Sequence, residues 1–257
     1  MVTLVVKDFV FKSKKAFVSA LTEAHPSIET IVLNENRRHT SIVLGQNEQV
    51  IYGNGHIQDT LCKTHFQLSS RSFYQVNPVQ TEKLYETAIH FANLTEQDTV
   101  LDAYCGIGTI GLIASRQCKS VVGVELNRQA IQDAVYNAKL NHRKNITFVN
   151  ADAGEYMIEA AGSKKTFDVV FMDPPRTGSD EHFLSCLVKL QPKKIVYISC
   201  GPDTQKRDVA YLLKHGYRIR KIQPCDMFPF TDHVETVVLL SRMNEPGYIK
   251  TVKNQNY

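Results

Sequence analysis

The amino-acid sequence predicts an α/β protein in which helices cover both faces of a mostly parallel sheet, with a small α+β unit in front. Three observations carry that expectation. From about residue 78, short apolar runs of strand length alternate with amphipathic stretches of helical period, as strands and crossover helices do. Before about residue 70 the pattern differs: brief strand-like runs are separated by turn signals and joined by one helical stretch. The residues directly after the later apolar runs are glycines, carboxylates, prolines and a cysteine, at the position where open parallel sheets bind ligands. The boundary is placed so that residues 1–70 form the small unit and 71–257 the sheet-bearing domain.

In the first region the strand-like runs are Val2–Val6, Ile28–Leu33, Ser41–Leu44 and Gln49–Tyr52, and Ser13–Glu23 reads as a helix. Leu44-Gly45-Gln46-Asn47 and Gly53-Asn54-Gly55 are turns between strands, built from residues that tolerate positive φ. In the second region strands are expected at Thr99–Ala103, Ser120–Val124, Ile146–Val149, Phe167–Met172, Lys194–Ser199, Arg218–Gln223 and Glu235–Ser241. Helices fit between them at Gln80–Ala92, Thr109–Ser115, Arg128–Leu140, Asp180–Lys189 and Asp203–His215. The last two strands are joined without helical periodicity, which leaves room for an antiparallel pair and a mixed sheet. There is no internal repeat and no low-complexity segment.

Of the 257 residues, 43% are hydrophobic and 22% charged, an ordinary balance for a soluble globular protein. The longest apolar runs, such as Val234–Leu240, are too short to span a bilayer, and no charged-then-apolar leader opens the chain. A cytoplasmic enzyme without a membrane partner is the expectation. The net charge of +4 permits a polyanionic partner without demanding one. Basic residues are denser in Lys7–Lys15, Arg37–His39 and Lys189–Lys194, each of which also reads as solvated surface. The six cysteines form no CxxC pair and have no His or Cys at metal-ligand spacing, so no metal site is expected within the chain. Each reads first as a buried free thiol.

The stretch "VLDAYCGIGTIG" places Gly106, Gly108 and Gly111 between a strand and a helix, where a backbone without side chains lets a ligand approach the helix start. Glu125 ends the next strand, 19 residues after Gly106, in position to accept hydrogen bonds from ribose hydroxyls. This pattern fits a nicotinamide dinucleotide as well as S-adenosylmethionine, and the glycines also read as close helix packing. The fourth strand separates the cofactors. It ends in Asp173-Pro174-Pro175-Arg176, a stiff loop that cannot continue the ladder. Asp/Asn-Pro-Pro at this place resembles methyltransferases acting on nucleobases and other planar groups. In those that methylate exocyclic amines an aromatic residue usually follows; here it is Arg176, which leaves carbon methylation open.

Carbon 5 of uracil is barely nucleophilic. A thiolate adding to carbon 6 makes it so, and a base must later remove the proton at carbon 5. Cys200 suits the thiolate role, because it follows the fifth strand and precedes a helix opening at Pro202 or Asp203, whose dipole is expected to lower the thiol pKa. Glu235 in "FTDHVETVVLL" begins the last strand and suits the role of base, with His233 and Asp232 as competing candidates and an outward-facing strand residue as the plain alternative.

Together, "SFYQVNP", "LDAYCGIGTIG", "VVGVE", "FMDPPRTG", "IVYISCGPDTQKRD" and "CDMFPFTDHVETVVLL" resemble the RNA 5-methyluridine (uracil-C5) methyltransferase family over residues 70 to 242, most of all its ribosomal-RNA branch. Residues 1–70 are similar, more weakly, to the later part of that family's central domain. The resemblance implies a Rossmann-like class I methyltransferase fold with a seven-stranded, mostly parallel sheet. It implies S-adenosyl-L-methionine as cofactor and RNA as partner, ribosomal RNA first and transfer RNA second. By matching positions it makes Cys200 the nucleophile and Glu235 the proton acceptor. Gln75, Tyr104, Gly106, Gly108, Glu125, Asp152 and Asp173 fall at cofactor-binding positions. Phe73 falls where a ring stacks on the target uracil, with Gln75, Pro174 and Arg176 also on the substrate side. The N-terminal oligonucleotide-binding-like domain usual in the family and the four-cysteine iron–sulfur motif frequent in its ribosomal-RNA branch are not recognised here, and Cys62 does not replace the cluster. Two other readings stand beside this one: a nicotinamide-dependent oxidoreductase resting on the glycine motif alone, and a non-catalytic fragment that binds RNA or cofactor without turnover.

Overall fold

The structure is a computed structural model that describes residues 1–38, 40 and 43–243. In chain order its elements are β1 (Val2–Val6), α1 (Lys14–Ala24), β2 (Ile31–Glu35), β3 (Asn47–Tyr52), β4 (His56–Leu61), β5 (Thr64–Ser69), α2 (Pro78–Ala92), β6 (Thr99–Ala103), α3 (Thr109–Ala114), β7 (Ser120–Glu125), α4 (Arg128–Leu140), β8 (Ile146–Asn150), α5 (Ala153–Gly162), β9 (Val169–Met172), α6 (Glu181–Leu190), β10 (Lys194–Ser199), α7 (Pro202–Lys214), β11 (Tyr217–Cys225) and β12 (Glu235–Arg242).

The first three strands form a small sheet in which β1 pairs parallel to β2 and β2 antiparallel to β3. A seven-stranded sheet follows in the order β11-β12-β10-β9-β6-β7-β8. Its central pairs are parallel, and β12 lies antiparallel to both β10 and β11, so the last connection does make the sheet mixed. Strand order reverses beside β6, whose neighbours are β7 on one side and β9 on the other, and a crevice opens at such a switch point.

Two hydrophobic cores flank the sheet. Along β10 the side chains alternate between them: Val196 and Ile198 join α2, α3 and the β4–β5 hairpin, whereas Ile195 and Tyr197 join α5, α6 and α7. All four are fully buried, which is why the strand reads as an unbroken apolar run. Burying each is worth ~1.5–3 kcal/mol. The helices start where the sequence supplies caps. Asn77, Asn127 and Asp180 accept backbone N–H bonds at the starts of α2, α4 and α6, and Pro78 and Pro202 occupy first-turn positions.

Some expectations shift. The strand expected at Ile28–Leu33 lies at Ile31–Glu35, and β9 is shorter than Phe167–Met172. Of the strand expected at Ser41–Leu44, residues 41 and 42 lie outside the described residues and Val43–Leu44 are irregular. Two features were not anticipated: the β4–β5 hairpin, whose Leu61, Phe66 and Leu68 pack into the first core, and helix α5.

Candidate active site

The glycine loop leaves the end of β6. Tyr104 takes a left-handed conformation (φ 64°), Gly106 (φ 54°) follows, and Gly108 (φ 85°) forms the N-cap of α3. A Cβ on Gly108 would stand 2.9 Å from the Phe148 ring, so the loop closes against β8 only because that atom is missing. A Cβ on Gly106 would meet nothing within 4 Å among the described residues, so this position is open on that side. Glu125 ends β7 beside it: one carboxylate oxygen accepts the Gly106 N–H at 3.2 Å and the other the Asn127 N–H at 2.8 Å. This half of the site suits a ribose-bearing cofactor, with bare backbone, open space and a fixed carboxylate. Asp152 caps α5 by accepting from Gly154 and Glu155, a structural role that could not be foreseen without that helix.

The other half lies across the switch point. Asp173 follows β9, Pro174 is buried, and Arg176 is exposed with its guanidinium hydrogen-bonded to the His233 ring. Cys200 follows β10 and is partly exposed. The last pair in the β10–β12 register is Ser199 with Thr236, so Cys200 and Glu235 stand one residue further along on adjoining strands. Gln205, buried on α7, fastens this end of the pair by donating to the carbonyls of Tyr197 and Thr236, both at 3.1 Å. Glu235 is 5% exposed.

The electrostatics follow from this crowding. Burial pushes Asp173 up to about 8, with Glu235 and then Asp102 adding repulsion. Asp102, 1% exposed, is pushed up to about 7 by burial against the opposing hydrogen bond from the Gly111 N–H, and its other oxygen has no hydrogen-bond partner among the described residues. Burial also raises Glu235, while Arg176 draws it down. The Cys200 thiol is raised, not lowered as expected: burial leads, Glu235 and Asp173 add to it, and Arg176 and a backbone hydrogen bond only partly oppose them. Burial and two neighbouring carboxylates set this direction, the reverse of the one expected from the start of α7. In the free chain Cys200 is therefore a protonated thiol at neutral pH.

Sequence reasoning missed what fixes the loop after β9. The Asp208 carboxylate, fully buried on α7, accepts from Tyr197 Oη (2.7 Å), the Ser179 N–H (2.8 Å) and Arg207 Nε (2.8 Å). Arg207 donates onward to the Ser179 and Thr177 carbonyls, Thr204 to the Arg176 carbonyl, and Tyr104 Oη lies 3.3 Å from Ser179 Oγ. The signal was there: Gln205, Asp208, Val209 and Leu212 fall on one helical face, so Asp208 is a charge in a core stripe. Phe73 and Gln75 lie between β5 and α2, Phe73 77% exposed and Gln75 partly buried.

The sheet order, glycine loop and rim acids define a Rossmann-like class I methyltransferase fold. A precorrin-6y C5,15-methyltransferase from Geobacter metallireducens superposes with a TM-score of 0.53 at 16% identity, covering 69% of this chain and 95% of that one, a likeness of fold alone. The tRNA (uracil-5-)-methyltransferase family model matches residues 12–243, and the chain belongs to that family. It is similar to an RNA methyltransferase of Halalkalibacterium halodurans (42% identity, 95% of this chain and 53% of the relative). A Staphylococcus epidermidis RNA methyltransferase is similar too, at 45% identity over 95% of this chain and 54% of the relative. A tRNA (uracil-54, C5)-methyltransferase of Pyrococcus abyssi, solved with S-adenosyl-L-homocysteine, superposes with a TM-score of 0.75 at 29% identity over 93% of this chain and 55% of that one. The chain thus spans about half the length of these RNA methyltransferases.

Proposed function

We propose that this chain carries the catalytic part, residues 71–257, of a cytoplasmic S-adenosylmethionine-dependent enzyme that forms 5-methyluridine in RNA, with residues 1–70 as part of an RNA-binding domain. The single observation that carries the reading is the register that sets Cys200 beside Glu235 on adjoining strands, with Asp173 and the glycine loop at the ends of the next two strands, β9 and β6. S-adenosylmethionine, when bound, supplies a methyl group made electrophilic by the sulfonium. Glu125, Tyr104 and the backbone at Gly106 and Gly108 hold it, with Asp173, Asp152 and Gln75 completing its surroundings. Phe73 stacks on a uracil taken out of the RNA, and Pro174, Gln75 and Arg176 border its edge. Cys200 releases its proton to solvent as the uracil arrives and adds to carbon 6 as the thiolate, which makes carbon 5 nucleophilic, and carbon 5 then takes the methyl group. Glu235 removes the proton from the methylated carbon 5, and Cys200 then leaves.

Ribosomal RNA is the first target by resemblance of motifs. Transfer RNA is favoured by the family's description and by the Pyrococcus abyssi enzyme. Incubating both purified RNAs with the chain and radiolabelled S-adenosylmethionine separates them by which one gains label in 5-methyluridine. Calorimetry first checks the cofactor: S-adenosylmethionine should bind and a nicotinamide dinucleotide should not. Glu235→Gln should accumulate a covalent adduct with natural RNA, because addition proceeds and release does not. Loss of all RNA binding in that variant would refute the role of Glu235.

A further inference from the structure

The loop between β11 and β12 displays an aromatic ring in a way that its own fold does not explain. Phe228-Pro229-Phe230-Thr231 forms a turn closed by the Thr231 N–H and hydroxyl, which both donate to the Phe228 carbonyl (3.1 and 2.7 Å). Proline in the second place and positive φ in the third are the marks of a type II turn, whose third place favours glycine. Here that place holds Phe230, at φ 68° and with its ring wholly exposed. A left-handed non-glycine residue costs about 1 kcal/mol or more, and an exposed phenyl recovers nothing by packing. The turn is also pinned. Met227 is fully buried and its carbonyl accepts from Asn77 Nδ2 at 3.0 Å, while Phe228 packs on the first core and meets the His233 ring edge-on at 6.4 Å. Phe230 is therefore held out on a fixed base, five residues before Glu235. The Asn77 bond ties this loop to the segment that presents Phe73, the other highly exposed phenyl at the site.

We propose that Phe230 is a second stacking platform that receives a nucleobase flanking the target uracil in a single-stranded stretch of RNA. A flat apolar ring five residues before the proposed base, in a loop tied by Asn77 to the segment that carries Phe73, matches the π-face common to all four bases, so its contribution is tolerant of sequence. The inference rests on the RNA-methylating reading above. A base lifted from its neighbours leaves those neighbours unstacked, and Phe230 replaces one lost partner.

The probe is a fluorescently labelled 12-nucleotide oligouridine, with binding to the full chain followed by anisotropy and S-adenosylmethionine binding followed by calorimetry. Phe230→Ala should weaken oligouridine about tenfold, the loss of one base stack. Phe230→Trp should retain affinity, Phe230→Leu should lose it as alanine does, and all three should bind S-adenosylmethionine like the parent. On an oligonucleotide with abasic sites flanking a single uridine, Phe230→Ala should cause no further loss. Unchanged oligouridine binding in Phe230→Ala, or full affinity in Phe230→Leu, overturns the stacking role alone. A parent chain that binds S-adenosylmethionine but no oligouridine overturns the RNA reading together with it.

Discussion

Asp208→Ala is the perturbation whose size the structure defines best. The carboxylate is fully buried and holds three donors, two of which, Tyr197 Oη and the Ser179 N–H, are themselves enclosed. Removing the acceptor leaves both without a partner, at about 1–3 kcal/mol each. Arg207 is 58% exposed and can turn to water, so its lost ion pair adds little. The expected destabilisation is about 4 kcal/mol, or roughly 8–16 °C in midpoint for a chain of this size. Asp208→Asn keeps an oxygen where Tyr197 and Ser179 donate but turns an amide NH2, itself a donor, toward Arg207, which can move to water, so it should cost less than alanine, roughly 1–2 kcal/mol. Urea unfolding of the three proteins at one pH measures this directly. The loop after β9 should also loosen, so the alanine variant, where still folded, should form its Cys200 adduct with RNA more slowly than the parent. An alanine variant within about 0.5 kcal/mol of the parent would show that the buried carboxylate does not fasten this loop.

Three further outcomes follow from the geometry. Gly108→Ala adds a Cβ at φ 85° and 2.9 Å from Phe148, and should cost ~1–3 kcal/mol of stability by chemical unfolding and weaken S-adenosylmethionine in calorimetry; an unperturbed variant would contradict the packing of the loop. Asp173 and Asp102 keep their protons to about 8 and 7 in the folded chain but release them near 4 when unfolded, so between those limits the folded state binds more protons and its stability falls as pH rises. The ligand-free chain should therefore unfold more easily at pH 8 than at pH 5, and Asp173→Asn should shrink that difference; a parent whose stability rises over this range would overturn the assignment. Cys200, raised above the ordinary thiol value, should be alkylated more slowly at pH 8 than a free thiol, with a rate still climbing as pH rises further when followed by peptide mass mapping. A rate already level at pH 8 would mean a thiolate in the free chain.

The sheet was legible in the sequence because its strands are buried on both faces and read as apolar runs that polar helices interrupt. Helix α5 was not. Its N-cap, Asp152, read as a rim carboxylate, and the small residues Ala153, Gly154, Ala160 and Ala161 blur its periodicity. The β4–β5 hairpin was missed for a related reason: its turn is Cys62-Lys63, both at positive φ without glycine or asparagine, so no turn signal marks it. Of the site, Cys200, Glu125 and the Asp173-Pro-Pro loop were read from residue type and from position at a strand end, and Glu235 from its place at the start of the last strand. The direction of the Cys200 shift was misread, since a helix start is visible in sequence and the crowding of Glu235 and Asp173 around the thiol depends on tertiary packing. Gln205, which fastens the β10–β12 end, and Asp208, which fastens the loop after β9, went unread although their place in the core stripe of α7 was visible, because the rest of that helix is mainly polar.

In the proposed reaction Cys200 attacks carbon 6 of a uracil and Glu235 later removes the proton at carbon 5. An RNA carrying 5-fluorouridine at the methylated position tests both steps at once, because fluorine cannot be abstracted as a proton. With S-adenosylmethionine present, mass spectrometry of the digested complex should find a methylated fluorouracil attached to Cys200, and Cys200→Ala should form none. A fluorouracil attached to another cysteine, or no adduct in a chain that binds both RNA and S-adenosylmethionine, would contradict the claim.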